Sequence, residues 1–355
     1  MKKHMSVLAV LMASAVCFTA CKTNTKKSDD KKLSIVTTIF PEYDWVMNIL
    51  GDKKDSADVT MLLDNGVDLH SYQPTADDIV KIKSCDMFIY VGGESDEWVE
   101  DVLETAENKD MVVVNLLEEL GGMVKEEELI EGMQDEEHDH EHDEHDDHED
   151  HDDHDEEDHD HEDEEHEHEH HHEEGEAEYD EHVWLSLKNA SILVDKISQK
   201  LQKIDSANAE TYEKNGKAYI EKLNALDKQY EAAVEEGSIK TLLFGDRFPF
   251  RYMVDDYGLT YYAAFIGCSA ETEASFETIA FLSEKTDELN LHTILTIEGS
   301  DQKIAKTIVE NTSSKDQKIL ILDSMQSVTS KDVKDGASYF SVMEKNLEVL
   351  KEALK

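Results

Sequence analysis

Leu33-Ser34-Ile35-Val36-Thr37-Thr38, Phe40-Pro41-Glu42-Tyr43-Asp44-Trp45-Val46-Met47-Asn48-Ile49-Leu50 and Val59-Thr60-Met61-Leu62-Leu63 follow one another near the start of the chain. The first run is short and β-branched, as a strand requires. The second places its apolar residues at helical spacing and is closed by Gly51. The third reads as the next strand. Beyond it, Thr75-Ala76-Asp77-Asp78 has the form of a capping box for a helix to Ser84. Met87 to Val91 reads as a strand, Trp98 to Ala106 as a helix and Met111 to Asn115 as a strand. Such alternation predicts βαβ units and a parallel sheet.

After Gly237 the same grammar returns. Thr241 to Phe244, Thr260 to Ala264, Thr293 to Thr296 and Lys318 to Leu322 are the expected strands. Tyr252 to Tyr257, Ser275 to Asn290, Gln302 to Asn311 and Tyr339 to Lys355 are the expected helices. Between the two halves, Ile192, Val194, Ile197, Leu201 and Ile204 mark one amphipathic helix. Tyr212, Tyr219, Leu223, Leu226 and Tyr230 form the buried stripe of a longer helix, about Ala207 to Glu235. Thirty helical residues reach roughly 45 Å, long enough for a strut between two lobes. The expected architecture is therefore α/β: two (β/α) lobes with parallel sheets, residues 33–206 and 237–355, joined by one long rigid helix at 207–236.

Charge is distributed unevenly. The 355 residues carry 84 Asp or Glu against 34 Lys or Arg, a formal net charge of -50. Residues 126–181 contain 34 of the acids and no Lys or Arg, leaving about -16 for the rest. Such a chain does not suit nucleic acid, whose phosphates need clustered cations. The same tract holds 14 of the 18 histidines: His138, His140, His142, His145, His148, His151, His154, His159, His161, His166, His168, His170, His171 and His172. It has too few apolar residues for a core and is expected to be a mobile loop inserted in the first lobe. Imidazoles with a pKa of about 6.5 are neutral metal ligands near physiological pH, although the surrounding carboxylates favour their protonation. Weak capture of several cations is the expected role. His166 and His168 each open a formal HExxH match, but a three-letter segment generates such matches by chance, and no apolar helix presents them.

The chain opens with Lys2 and Lys3, an apolar run from Val7 to Phe18, and Phe18-Thr19-Ala20-Cys21. The run is too short to cross a bilayer, and the pattern is that of an export signal ending in a bacterial lipobox. Residues 1–21 are expected to be the signal, with Cys21 the lipidated residue, and 22–32 a solvated tether. That places the protein on the extracytoplasmic face of the cell membrane. Cys85 and Cys268 remain, each in an apolar neighbourhood, and are expected as two buried free thiols rather than a disulfide.

Outside the tract and the signal, three histidines are left. His70 lies in Asp64-Asn65-Gly66-Val67-Asp68-Leu69-His70-Ser71-Tyr72-Gln73-Pro74, a loop between a strand and a helix, where open α/β sheets bind ligands. His182 lies in Asp180-Glu181-His182-Val183-Trp184-Leu185, where the tract ends. His292, before a strand, reads as a surface or structural residue.

These motifs carry a resemblance. Phe40-Pro41-Glu42-Tyr43-Asp44 is similar to the start of the cluster A-I metal-binding proteins of ABC importers. The His70 loop resembles their Gly-x-x-Pro-His-x-Tyr-Glu-Pro segment, with Leu69 for Pro and Gln73 for Glu. The His182 loop resembles their Asp-Pro-His-x-Trp-Leu, with Glu181 for Pro. The similarity spans nearly the whole mature chain, and a His-rich insertion is typical of the zinc members. The resemblance implies one metal in the cleft between the lobes, held by His70 and His182 from the first. From the second it implies a His or Glu directly after the first strand and a carboxylate matching Asp323. At the former position this chain reads Gly245-Asp246-Arg247. Arg247 cannot ligate a cation, so Asp246 is the nearest candidate, with Cys268, Glu271 and Glu273 as outside ones. The implied cargo is Zn2+, with Mn2+ or iron as the alternative, since two imidazoles with carboxylates suit zinc and a more oxygen-rich site suits manganese. The implied partners are a membrane permease and its ATPase, the receptor itself being a monomer. An adhesin or metal buffer and a zinc hydrolase are competing readings. No Gly-x-Ser-x-Gly and no nucleotide-binding glycine loop supports the enzyme.

Overall fold

The computed structural model of the chain describes residues 32–134, 178–269 and 273–355. The signal, Cys21, Glu271 and all fourteen tract histidines lie outside them. The first lobe runs β1 (Leu33–Thr37), α1 (Phe40–Leu50), β2 (Ala57–Met61), α2 (Ala76–Ser84), β3 (Met87–Tyr90), α3 (Trp98–Glu104), β4 (Val112–Asn115) and a short α4 (Leu116–Leu120). Then come α5 (Leu187–Ile204) and the strut α6 (Ala209–Glu236). The second lobe is β5 (Thr241–Phe248), α7 (Arg251–Tyr257), β6 (Thr260–Ile266), α8 (Phe276–Glu288), β7 (Thr293–Thr296), α9 (Lys303–Asn311), β8 (Lys318–Ile321), α10 (Ser330–Lys334) and α11 (Tyr339–Ala353). Both sheets are parallel throughout and share one topology, β2-β1-β3-β4 and β6-β5-β7-β8. The two-lobe α/β architecture is the expected one.

Local chemistry explains the element boundaries. Pro41 sits in the first turn of α1, where its missing N–H costs nothing. The buried Glu42 carboxyl group accepts from the Thr38 amide at 2.8 Å, the Thr38 hydroxyl at 3.1 Å and the Ile39 amide at 3.3 Å, capping that helix end. Thr75 and Asp78 form the capping box anticipated for α2. The largest departure lies in β5, which continues past Phe244 to Phe248 through a register shift between Phe244 and Arg247. Such an irregularity re-aims the side chains that follow it.

The strut, about 42 Å long at 28 residues, touches both lobes. The Tyr219 hydroxyl donates to Asp44 of α1 at 3.2 Å, and the Tyr230 hydroxyl to the Met343 carbonyl of α11 at 2.6 Å. Asp44 also accepts from the Tyr339 amide at 3.2 Å, and the Tyr339 ring meets Trp45 edge-on at 5.3 Å. One apolar core thus runs through both lobes, with a smaller cluster around Leu243, Phe265, Leu282 and Ile294 on the outer side of the second sheet. Trp184, fully buried, donates its indole N–H to the Ser324 carbonyl at 2.8 Å, while its own carbonyl accepts from the Tyr339 hydroxyl at 2.6 Å. It pins the His182 loop to the second lobe, together with the Tyr252 hydroxyl, which donates to the Asp180 carbonyl at 2.7 Å, and the Ser186 hydroxyl, which donates to Asp256 at 2.6 Å. Among the described residues, no helix is long and apolar enough to cross a membrane.

Candidate metal centre

Loops at the C-terminal strand ends of the two sheets face each other across a cleft of about 740 Å3, lined in part by His70, Ser95, Glu127, Glu181 and Cys268. His70 sits in a short 3-10 turn after β2, opened by Asp68, whose carboxylate accepts from the His70 amide at 3.1 Å. His182 precedes a similar turn at Val183–Leu185 and has no exposed surface. The two Nε2 atoms lie 3.1 Å apart.

What holds each ring decides what its Nε2 can do. His182 Nδ1 is 3.0 Å from the Asp180 carboxylate, which also accepts from the His182 amide at 2.8 Å. His70 Nδ1 is 2.8 Å from the Ser95 hydroxyl and 3.4 Å from Glu181 Oε2. Carboxylates beside both Nδ1 atoms favour a proton there and leave a lone pair on each Nε2. Two lone pairs facing each other at this distance repel unless a proton or a cation lies between them. Zinc–nitrogen bonds of about 2.05 Å at a tetrahedral angle would hold the two nitrogens about 3.3 Å apart, close to the observed spacing.

The surroundings are electronegative. Burial alone would lower the His182 pKa, but the charge and hydrogen bond of Asp180 outweigh it and raise it. Burial likewise opposes ionisation of Glu181, yet its contacts with His70 and Ser95 hold its carboxyl below the usual range. Glu181 stands where the resembled family has Pro, and it has its own work: Oε1 accepts from the Ser95 amide at 2.8 Å, tying the His182 loop to the loop after β3. Gly93 makes room for it, because a Cβ there would stand 2.4 Å from Glu181 Oε1.

The second lobe contributes differently from expectation. Among the described residues, the group of ligand-type side chains that converges is His70, His182 and Cys268, with donor atoms all within 4.8 Å of one another. Asp246 and Asp323 do not join it. Asp246 Oδ1 accepts from the Arg247 amide at 2.9 Å, and Oδ2 lies 3.4 Å from the Ile297 amide. Asp323 Oδ1 accepts from the Met325 amide at 2.8 Å, and burial followed by the charge of Glu298 pushes its carboxyl upward. Both carboxylates close loops of their own lobe. Cys85 is free and buried, as anticipated; Cys268 is free but only half-buried, and its amide donates to Glu127 Oε1 at 3.2 Å. Arg247 reaches Asp68 Oδ2 of the first lobe at 2.7 Å. Glu273 and His292 are exposed.

The ends of the tract are not featureless. Glu126 and Tyr179 form an antiparallel bridge, and the Asp180 amide donates to the Lys125 carbonyl at 2.9 Å. Residues 125–134 then strap across to the second lobe. Arg251 pairs with Glu128 at 2.7 Å, the Gln134 amide donates to the Ala264 carbonyl at 2.9 Å, and Ile130 and Met133 pack against the core. The insertion is thus rooted at the mouth of the cleft. The few apolar residues among its first acids, Leu129, Ile130 and Met133, were the available signal.

The family model for the zinc-uptake complex component A (ZnuA), periplasmic, matches residues 35–353. The chain belongs to the ZnuA family. It is 31% identical over 358 residues to the high-affinity zinc uptake system protein ZnuA of Bacillus subtilis, covering 100% of this chain and 99% of that protein. It is 32% identical over 348 residues to the zinc-binding lipoprotein AdcA of Streptococcus pneumoniae, covering 98% of this chain but 61% of the longer AdcA. The Zn(II)-bound ZnuA-like domain of AdcA superposes with a TM-score of 0.65 at 29% identity, over 91% of this chain and 99% of that domain. The ZnuA fold is thus shared along the described length, with the cleft between its two sheets.

Proposed function

We propose that the protein is the receptor of a zinc ABC importer, binding one Zn2+ in the cleft through His70 and His182 and passing it to a membrane permease driven by an ATPase. The observation that carries this reading is the convergence of two Nε2 atoms 3.1 Å apart, each ring oriented by a carboxylate-flanked Nδ1, in a chain of the ZnuA family. Zinc uptake in the names of its relatives supports the choice of cargo. The ZnuA family to which the chain belongs is one of solute-binding receptors, and the chain acts as a receptor.

The tract histidines gather zinc at the mouth of the cleft, raising its local concentration beside the tight site. Cys21 carries the lipid that holds the monomer at the extracytoplasmic face. The strut and the shared core limit the lobes to small movements, so that capture and release depend on loops at the cleft rather than on wide opening. Metal analysis of the full chain purified without added metal, followed by chelator competition, tests the reading. One site much tighter than the rest is expected, lost in His70→Ala and His182→Ala. Retention of that site in both variants would refute the assignment.

A further inference from the structure

By ungapped correspondence with the resembled family, Arg247, which cannot bind metal, falls at the second-lobe position where a His or Glu is expected. Arg247 stands near the end of β5, and its guanidinium points to two other partners: Nη2 to Asp68 Oδ2 at 2.7 Å, and Nη1 to the Ser269 carbonyl at 3.2 Å. Asp68 opens the turn that carries His70, and Ser269 follows Cys268. One planar fork therefore joins the His70 turn to the connection between β6 and α8. β5 and β6 are paired neighbours, with Phe248 opposite Ile266, so the chain leaving β6 emerges beside the end of β5. Gly267 is pressed on the His182 ring: a Cβ there would stand 3.1 Å from both Cε1 and Nδ1. The next residue is Cys268, its amide held by Glu127.

We propose that the Cys268 thiolate is the second-lobe zinc ligand, displaced by one strand from the β5 position, and that Arg247 is the residue that positions it. The proposal rests on the cleft being the zinc site. Donor atoms of His70, His182 and Cys268 lie within 4.8 Å of one another, against about 3.6 Å for a nitrogen–sulfur edge of a tetrahedral zinc site. A small rotamer adjustment closes that gap. Binding forms a zinc–sulfur bond, breaks the S–H bond and releases one proton to solvent. A thiolate with two imidazoles selects soft and borderline cations, zinc and cadmium, over manganese. The specificity of the site thus follows from Cys268 as well as from the histidines.

Cobalt(II) added to the full chain tests this, because thiolate coordination gives a near-ultraviolet sulfur-to-cobalt charge-transfer band that imidazole and carboxylate ligands of the tract do not. The band is expected in the natural chain and in Cys85→Ser, and absent in Cys268→Ser. Zinc affinity in Cys268→Ser should fall by more than the roughly 10–100-fold typical of losing a supporting hydrogen bond, and the preference for zinc over manganese should shrink with it. Arg247→Ala should weaken the band while leaving the circular dichroism unchanged, and Arg247→Lys should restore it in part. Zinc-edge X-ray absorption of the unmutated chain with one equivalent of zinc, showing a sulfur shell at about 2.3 Å, gives the same answer without a variant. No charge-transfer band and no sulfur shell, or a band that survives Cys268→Ser, would overturn the thiolate. Loss of tight zinc binding in His70→Ala would still stand in that case, which separates the two readings.

Discussion

The two halves of the cleft are built on different terms. In the first lobe both imidazoles are braced by neighbouring side chains: His182 by Asp180, His70 by Ser95 and Glu181, with Glu181 also holding the loop after β3. In the second lobe, among the described residues, Cys268 depends for its place on a neighbour's guanidinium and on Glu127, while the carboxylates expected there serve their own loops. A preorganised half and a half carried on a connecting loop divide the labour. On the proposed reading, the first would fix where the ion sits, and the second would adjust which ion stays and when it leaves.

The largest expected effect breaks both halves together. Trp184→Ala removes the buried indole that ties the His182 loop to the Ser324 carbonyl, and should cost about 3–5 kcal/mol of stability in denaturant titration. A loss below about 1 kcal/mol would mean that the loops are joined by other contacts. His182→Ala should then lower zinc affinity by more than about 100-fold with little change in stability, beyond the range of outer-sphere changes. Asp180→Asn keeps the shape but weakens the hold on Nδ1, and a loss of about 10–100-fold is expected by chelator competition. If Asp180→Asn is silent, the first half is not preorganised in the way described.

The smallest effect concerns the acids beneath the first lobe. Burial, then the charge of Asp96, pushes Glu42 from 4.5 to about 8, and burial pushes Asp96 itself to about 7. A folded-state pKa raised above the unfolded one contributes stability that is full below the unfolded value and lost as pH rises through the folded one. Chelator-treated protein should therefore lose stability between pH 5 and pH 8 (on the order of this window), more steeply than Glu42→Gln does. Equal slopes would show that Glu42 folds already ionised.

Much of the fold was legible because local signals agreed with one another. Apolar spacing, Pro41, Gly51 and the Thr75–Asp78 capping pair bounded α1 and α2 closely. The first-lobe histidines were legible because each sits in a compact motif next to its own support: His182 and Asp180 are two residues apart, as are His70 and Asp68. Where partners are distant, local pattern failed. Glu126 to Gln134 read as the start of a solvated tract, yet its amides and acids find Ala264, Arg251 and Cys268 more than a hundred residues away.

By itself, then, the sequence determined two α/β lobes, a long strut, a His-rich acidic insertion and the two imidazoles, all of which follow from periodicity, composition and short-range spacing. Only the tertiary structure decided the second-lobe half of the cleft. The register shift in β5, the pairing of β5 with β6 and the reach of Arg247 to Asp68 bring Cys268 to the histidines and leave Asp246 and Asp323 aside. Strand pairing and a side-chain fork spanning 179 positions in the chain are long-range events. No local window of residues encodes them, because their free energy is realised only when both lobes have folded around one core.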